Sequence, residues 1–335
     1  MKTHMNIPVF IPHLGCPHDC AFCSQRSVTN VQAAPSPESV AFSIQSYLAT
    51  RGERRAEIAF FGGSFTGIPR KDQATYLAAA RPFLESGAAE SIRVSTRPDC
   101  IDAETVAFLK ENGVKTVELG AQSMSDEVLK ASSRGHTAAD TVRAASLIRE
   151  GGLTLGLQMM TGLPTSTLET EVDTARAFVA LGAEISRIYP TVVFYDTALY
   201  HRMLSGAYMP PTMEETIVRA AAALSVLEDG GVRVIRIGLQ ETETLGAKAA
   251  GGAYHPALGE LVRARLWRDR LARVIPALGA KEITVFCAQR LTSLVLGQHR
   301  ENFTYLAEKY GVTLRLLRID DGCRVEGAGK TVSLL

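Results

Sequence analysis

Short runs rich in β-branched and aromatic residues alternate with longer stretches of helical periodicity through the first two-thirds of the chain. The strand-like runs are Ile7–Pro12, Glu57–Phe61, Ser91–Thr96, Thr116–Gly120, Leu153–Met160 and Ser186–Val193. Helical patterns follow them at Pro37–Thr50, Arg70–Leu84, Asp102–Asn112, Ala138–Arg149, Leu168–Leu181 and Met213–Glu228. Strands joined through helices pair in parallel, because a helical crossover carries the chain back to the end from which the strand started. Six such units with right-handed crossovers curl into a full or partial barrel. The expected fold class is therefore α/β, a partial (β/α)6 TIM-like barrel with its chemistry in the loops after the strands.

Beyond these units, Val232–Ile237 reads as a further strand, and the stretch Glu241–Tyr254 is poor in large apolar residues and holds the pair Gly251-Gly252. That composition marks a boundary, which divides the chain into a core barrel at 1–240 and a small α/β C-terminal extension at 241–335. The extension opens with a long helical segment, Ala257–Val274, and continues as a βαβ-like tail at Ile283–Cys287, Arg300–Tyr310 and Thr313–Ile319. With 46% hydrophobic and 21% charged residues over 335 positions, the composition is that of a globular protein with a sizeable core. No apolar run approaches the ~20 residues of a membrane span, and the first residues lack a signal-peptide pattern. A cytoplasmic protein with no membrane partner is expected. Net charge is +1, yet His255 to Leu335 carries 13 Lys/Arg against 8 Asp/Glu. A basic tail permits a nucleic-acid partner without requiring one.

Three of the six cysteines crowd into eight residues, Cys16-Pro17-His18-Asp19-Cys20-Ala21-Phe22-Cys23, directly after the first strand. The spacing C-x3-C-x2-C lets a tight loop aim three thiolates at one centre, and sulfur ligands suit iron–sulfur clusters or zinc. Structural zinc takes four closed ligands, so His13, His18 or a remote cysteine would have to complete such a site. Three cysteines on a 4Fe–4S cluster instead leave one iron open. Cys100 reads as a small buried hydrophobe, and Cys287 and Cys323 have no spacing for a second cluster. At successive strand ends lie Gly62-Gly63-Ser64, Ser95-Thr96-Arg97, Glu118-Leu119-Gly120-Ala121-Gln122 and Gln158, with Arg134-Gly135-His136-Thr137 before a helix. Polar residues so placed form a ring around one mouth of the barrel. Each taken singly serves equally well as a loop hydrogen bond or barrel salt bridge.

The cysteine spacing, with Phe22 just before the last cysteine, resembles the signature of the radical S-adenosylmethionine superfamily. The resemblance implies a 4Fe–4S cluster on Cys16, Cys20 and Cys23 whose open iron is chelated by S-adenosylmethionine. One electron from a flavodoxin- or ferredoxin-type donor then yields methionine and a 5′-deoxyadenosyl radical. It places Phe22 beside the adenine and Gly62, Gly63 and Ser64 at the methionine amino group, where Ser64 replaces the commoner Glu. Arg134 is implied at the methionine carboxylate, Gln158 at the ribose and Glu118 at a polar edge of the cofactor. Ser95, Arg97 and Gln122 complete the cofactor-binding set.

Within the superfamily, the phrases Ser95-Thr96-Arg97-Pro98-Asp99, Val117 to Ser123, Arg134 to Thr137, Arg187-Ile188-Tyr189-Pro190-Thr191 and Gly251 to Ala257 resemble the group around the catalytic subunit of elongator. That likeness makes tRNA a candidate partner, with Glu118, Gln122 and Tyr189 facing the substrate. The roughly 60 residues after Val274 are too few for an acetyltransferase domain of about 100–200 residues, so no acetyl-CoA domain is expected. The phrase Arg236-Ile237-Gly238-Leu239-Gln240 resembles oxygen-independent coproporphyrinogen oxidases and keeps a porphyrin substrate, or a haem-handling role, as an alternative. A non-catalytic, metal-stabilised RNA-binding protein is the alternative of another class. Arg263, Arg265, Arg268, Arg270 and Arg273 on one helical segment suit either RNA phosphates or a solvated amphipathic helix.

Overall fold

The computed structural model describes residues 4–11, 16–23, 34–239 and 245–334. His13 and Gln240 fall outside the described residues, as does most of the presumed boundary segment before Leu245. The first part runs β1 (His4–Ile11), α1 (Pro37–Ala49), β2 (Arg55–Gly62), α2 (Arg70–Glu85), β3 (Ser91–Thr96), α3 (Ala103–Glu111) and β4 (Val114–Gln122). It continues with α4 (Asp126–Ala131), α5 (Ala138–Glu150), β5 (Thr154–Thr161), α6 (Leu168–Ala180), β6 (Ile185–Pro190), β7 (Val192–Phe194), α7 (Ala198–Leu204), α8 (Met213–Asp229) and β8 (Arg233–Ile237). Seven strands form one parallel sheet in the order β1-β2-β3-β4-β5-β6-β8. The sixth predicted run is split: β6 stays in the sheet while β7 turns out to pair antiparallel with β9 (Ala249–Gly252). The further strand at Val232–Ile237 is thus the seventh strand of the barrel sheet.

Helix starts follow local chemistry. Asp102 accepts from the Thr105 amide at 2.7 Å, and Thr137, Thr167 and Thr212 each close a capping box with Asp140, Thr170 and Glu215. Such caps satisfy amide donors that the helix itself leaves open.

The two faces of the sheet have opposite chemistry. Ile58, Phe60, Ile92, Val94, Val117, Leu119, Leu155, Leu157 and Ile188 pack with the helices in one apolar core. The alternate positions turn into the barrel and are charged. There Glu57 accepts from Arg93 at 2.6 Å, Arg93 donates to Glu118 at 2.6 Å, and Arg187 donates to Glu118 at 2.6 and 3.0 Å. Gln158 adds a bond to Glu118 at 2.9 Å. Room for Glu118 comes from Gly156 on β5, where a Cβ would stand 2.8 Å from Glu118 Cγ. Burial opposes the charged form of Glu118, but the guanidiniums of Arg187 and Arg93 outweigh it and hold the carboxyl below its ordinary range.

The second part holds a short helix α9 (Leu245–Lys248), the β9 strand, α10 (Leu258–Leu278), β10 (Glu282–Ala288), α11 (Thr292–Leu296), α12 (Glu301–Tyr310), β11 (Thr313–Ile319), β12 (Cys323–Gly327) and β13 (Lys330–Ser333). A four-stranded sheet in the order β11-β10-β12-β13 carries it. The tail is therefore larger than a βαβ unit, because an antiparallel hairpin, β12–β13, joins the sheet beside β10. Helix α10 belongs to both cores: Leu258, Val262 and Leu266 pack in the barrel core, while Trp267, Leu271, Ile275 and Leu278 pack in the tail. Four of its five arginines meet acids, while Arg273 is exposed and donates to Ser225 Oγ at 3.3 Å. Arg263 and Arg270 meet Glu228 at 2.8 and 3.2 Å, and Arg265 meets Glu214 at 2.9 Å. Arg268 lies over the Tyr305 ring.

Removing one member of the buried network strands the others, at a cost of about 3–5 kcal/mol. Glu118→Gln should lower the urea midpoint of unfolding accordingly, whereas Glu214→Gln, at an exposed pair, should move it by less than about 1 kcal/mol.

Candidate active site

The cysteine loop follows β1 and is held from both sides by backbone. The Ala21 amide donates to Ser132 O at 3.0 Å, the Leu199 amide donates to Ala21 O at 2.7 Å, and the Cys23 amide closes a turn on Cys20 O at 3.0 Å. Phe22 adds a side-chain anchor, packed against the small cluster of Val193, Leu199 and Tyr208. His18 lies against Gly135, where a Cβ would stand 2.2 Å from its ring. Gly135 also has φ +75°, so both space and backbone require glycine there. Cys16, Cys20 and Cys23 are partly exposed.

The thiols are set among cations and donors. Arg134 places Nη1 3.2 Å from Cys20 Sγ and donates through Nη2 to Gly120 O at 2.6 Å. Arg97 approaches the same sulfur at 4.0 Å and donates to the Arg134 carbonyl and, through Nε at 2.9 Å, to Asp99. Burial pushes the Cys16 thiol up, opposed by the Ser64 amide and by Arg97 and Arg134. Ser64 is itself almost fully buried, with its hydroxyl 2.8 Å from Thr96 Oγ1 and accepting from the Arg97 amide at 3.1 Å. Burial pushes the Cys100 thiol up, opposed by the Ser64 side chain and by Arg97. Cys100 therefore borders this site, close enough to Cys16 for the two to interact electrostatically, and is not simply a core residue. No spacing in the sequence signalled that.

Gly62 and Gly63 stand at the end of β2 against β1: the Gly63 amide donates to Ile11 O at 2.7 Å, and Gly62 has φ +111°. Glu118 and Gln158 lie deeper, inside the charged network. Above that network several polar atoms at strand ends have no hydrogen-bond partner among the described residues: Ser95 Oγ, Gln122 Oε1, Thr161 Oγ1 and Thr191 Oγ1. Gln122 adds a left-handed backbone, φ +66°, at a point where the β4–β5 register shifts. Buried polar atoms without partners mark a place for a ligand. Three thiols supported by two guanidiniums fit a cluster donor set, and the polar strand ends fit S-adenosylmethionine. A zinc ion would draw its sulfurs to about 2.3 Å, and among the described residues no three His, Cys, Asp or Glu side chains are gathered around a single-ion site.

Beside the cysteine loop opens a recess of about 500 Å³ lined by His18, Lys130, Ser133 and His136. His136 is buried and bonds Ala121 O through Nε2 at 3.2 Å. Desolvation, then Arg134 and Arg97, hold its imidazole down to about 4. The unfolded chain binds that proton near 6.5, so stability is complete above pH 6.5 and falls as pH drops toward 4. Between pH 7 and 5 this group should remove about 2 kcal/mol. Thermal unfolding of wild type and His136→Gln across that range should show the loss in the former only.

Comparison with known proteins agrees with this arrangement. A family model described as the radical SAM superfamily matches residues 10–178, and one described as the radical SAM C-terminal domain matches residues 183–268. A tRNA uridine(34) acetyltransferase of Methanocaldococcus infernus is 26% identical over 292 residues, covering 74% of this chain and 53% of that protein. The chain thus spans about half the length of the curated relatives it matches most strongly. Among solved structures, archaeal Elp3 from Methanocaldococcus infernus with an N-terminal deletion superposes with TM-score 0.64 at 22% identity, covering 97% of this chain and 74% of that one. Coproporphyrinogen III oxidase from Escherichia coli gives TM-score 0.51 at 16% identity, covering 69% and 54%. The partial barrel, the cysteine loop at its mouth and the match over half the chain place this protein in the radical SAM superfamily, whose members use a 4Fe–4S cluster and S-adenosylmethionine.

Proposed function

We propose that Cys16, Cys20 and Cys23 hold a single 4Fe–4S cluster and that the chain acts on a nucleobase of tRNA. The observation that carries the site is the meeting, at one end of the sheet, of the cysteine loop, the Arg134 contact to Cys20 and the partnerless polar atoms of Ser95 and Gln122. When bound, the cluster supplies the electron for reductive cleavage of S-adenosylmethionine to methionine and a 5′-deoxyadenosyl radical.

The residues around it divide the remaining work. Ser95 and Gln122 offer polar contacts at the strand ends to the ribose and amino-acid parts of the cofactor. Phe22 keeps the loop seated through its apolar contacts while leaving a ring edge for the adenine. Gly62, Gly63 and Ser64 shape the turn beside Cys16, with the Ser64 amide directed to that thiol. Arg97 and Arg134 place positive charge where electrons arrive. Glu118 and Gln158 form the polar floor beneath, with Arg187 and Tyr189, whose hydroxyl lies 3.5 Å from Arg187 Nη1. Support for tRNA comes from the relatives named as tRNA uridine(34) acetyltransferases. A porphyrinogen is the second reading, resting on the phrase Arg236-Ile237-Gly238-Leu239, whose arginine bonds the carbonyls of Gly238 and Leu239 at 3.2 and 3.1 Å.

Anaerobic reconstitution should give about four irons per chain, the content of one 4Fe–4S cluster. Dithionite with S-adenosylmethionine should then release 5′-deoxyadenosine, and Cys20→Ala should abolish both. Zinc without iron, or intact S-adenosylmethionine, would refute the enzyme. Deuterated tRNA should pass deuterium into 5′-deoxyadenosine; transfer from a porphyrinogen instead would replace the substrate. Because Arg265 and Arg268 both face Glu214, Arg265→Glu with Arg268→Glu should leave the salt dependence of tRNA binding unchanged.

A further inference from the structure

We infer that Cys287 and Cys323 are a redox-active pair, which closes to a disulfide across the C-terminal sheet by exchange with a small carboxylate-bearing disulfide. Far apart in sequence, the two cysteines stand directly opposite each other on the antiparallel strands β10 and β12. The Ala288 amide donates to Gly322 O at 2.9 Å. That bond lies one residue outward from the pair, so Cys287 and Cys323 themselves occupy a non-hydrogen-bonded position. Facing Cα atoms at such a position are about 4.5 Å apart, within the range of about 4.4–6.8 Å that a disulfide spans. Both side chains turn into the same core and are exposed by only 0% and 3%. Among the described residues no group of three His, Cys, Asp or Glu forms around them, so the pair suits a covalent bond rather than a metal ion.

Cys287 is the member beside an entry. Thr292 places Oγ1 3.8 Å from its sulfur, and Arg318 is its register partner on β11. Both also line a recess of about 400 Å³, together with Arg300, Leu296, Leu316 and Leu317. Arg300 and Arg318 are exposed and take part in no ion pair among the described residues, so the recess offers two guanidiniums to carboxylates. Burial pushes the Cys287 thiol up, opposed by the Thr292 hydroxyl and by Arg318. Burial, then Cys287, push the Cys323 thiol up to about 12. Cys287 is therefore the sulfur that exchanges first. Its thiolate attacks one sulfur of the entering disulfide, whose S–S bond breaks and releases a first thiol. Cys323 then attacks Cys287 and displaces the second. Two protein thiols are oxidised, one external disulfide is reduced, and the two thiol protons pass to its products. The new bond ties the β12–β13 hairpin to β10.

The test places the full chain in anaerobic buffers of varied reduced-to-oxidised glutathione ratio, followed by acid quenching, alkylation and non-reducing peptide mass spectrometry. Linkage of Cys287 to Cys323 should rise with the oxidised fraction and reverse with dithiothreitol. In Cys323→Ser, Cys287 should instead keep glutathione as a lasting mixed disulfide. If that chain is unfolded, Cys323→Ala takes its place. Arg318→Gln should slow linkage by glutathione disulfide several-fold and leave the rate with uncharged hydroxyethyl disulfide unchanged. Cys287 and Cys323 that stay reduced under excess glutathione disulfide overturn the inference, as does pairing of either with another cysteine. Rates that Arg318→Gln leaves unchanged, or slows equally for both oxidants, overturn the recess as the entry for an anionic disulfide. None of these outcomes depends on a cluster at Cys16, Cys20 and Cys23, because the peptides are mapped separately.

Discussion

The ladder Glu57–Arg93–Glu118–Arg187 runs across the inside of the sheet from β2 to β6, and the geometry of the site depends on it. A curved sheet leaves its inner face to be filled. Most barrels do this with layers of branched apolar side chains, whereas here successive strands are tied by alternating charges. A buried ion pair adds little stability relative to a well-packed apolar core. It does, however, penalise any slip in register, since moving one strand by a residue would strand a charge among apolar groups. Gly156 follows from the same constraint, because its missing side chain is the space Glu118 fills.

That floor determines what lies above it. With the lower layer occupied by charged groups, ligand chemistry is confined to the upper strand ends, where Ser95 and Gln122 present polar atoms without partners. The cysteine loop comes to this level because its backbone is bonded to Ser132 on one side and Leu199 on the other. These segments lie far apart in the chain, and their meeting turns a flexible run of cysteines into a donor set with one orientation. Arg134 and Arg97 then stand 3.2 and 4.0 Å from the Cys20 sulfur.

Helix α10 ties the four-stranded C-terminal sheet to the barrel core. One half of α10 lies in the barrel core and the other in the tail core, so the two hydrophobic cores share one rigid element. Its arginine row has the look of a nucleic-acid surface in one dimension. Folding sets four of its arginines opposite Glu214, Glu228 and Asp229 and leaves Arg273 exposed beside Ser225.

By itself the sequence determined the local pattern: six strand–helix units, the capping threonines, the cysteine spacing and the polar residues at the strand ends. Each of these is written within a few residues, since periodicity, capping and loop spacing are short-range properties. Strand Ser91–Thr96 is found where the alternation places it, and the loop after β1 where C-x3-C-x2-C requires it. Pairings between distant residues were decided only by the tertiary structure. Arg134 meets Cys20, Ser64 turns its hydroxyl to Thr96, Glu118 joins three strands, and four of the α10 arginines find their acids. The reason is physical: a charge or a hydroxyl takes its role from whatever lies within a few ångströms of it, and sequence distance says nothing about that separation until the barrel has closed the intervening chain.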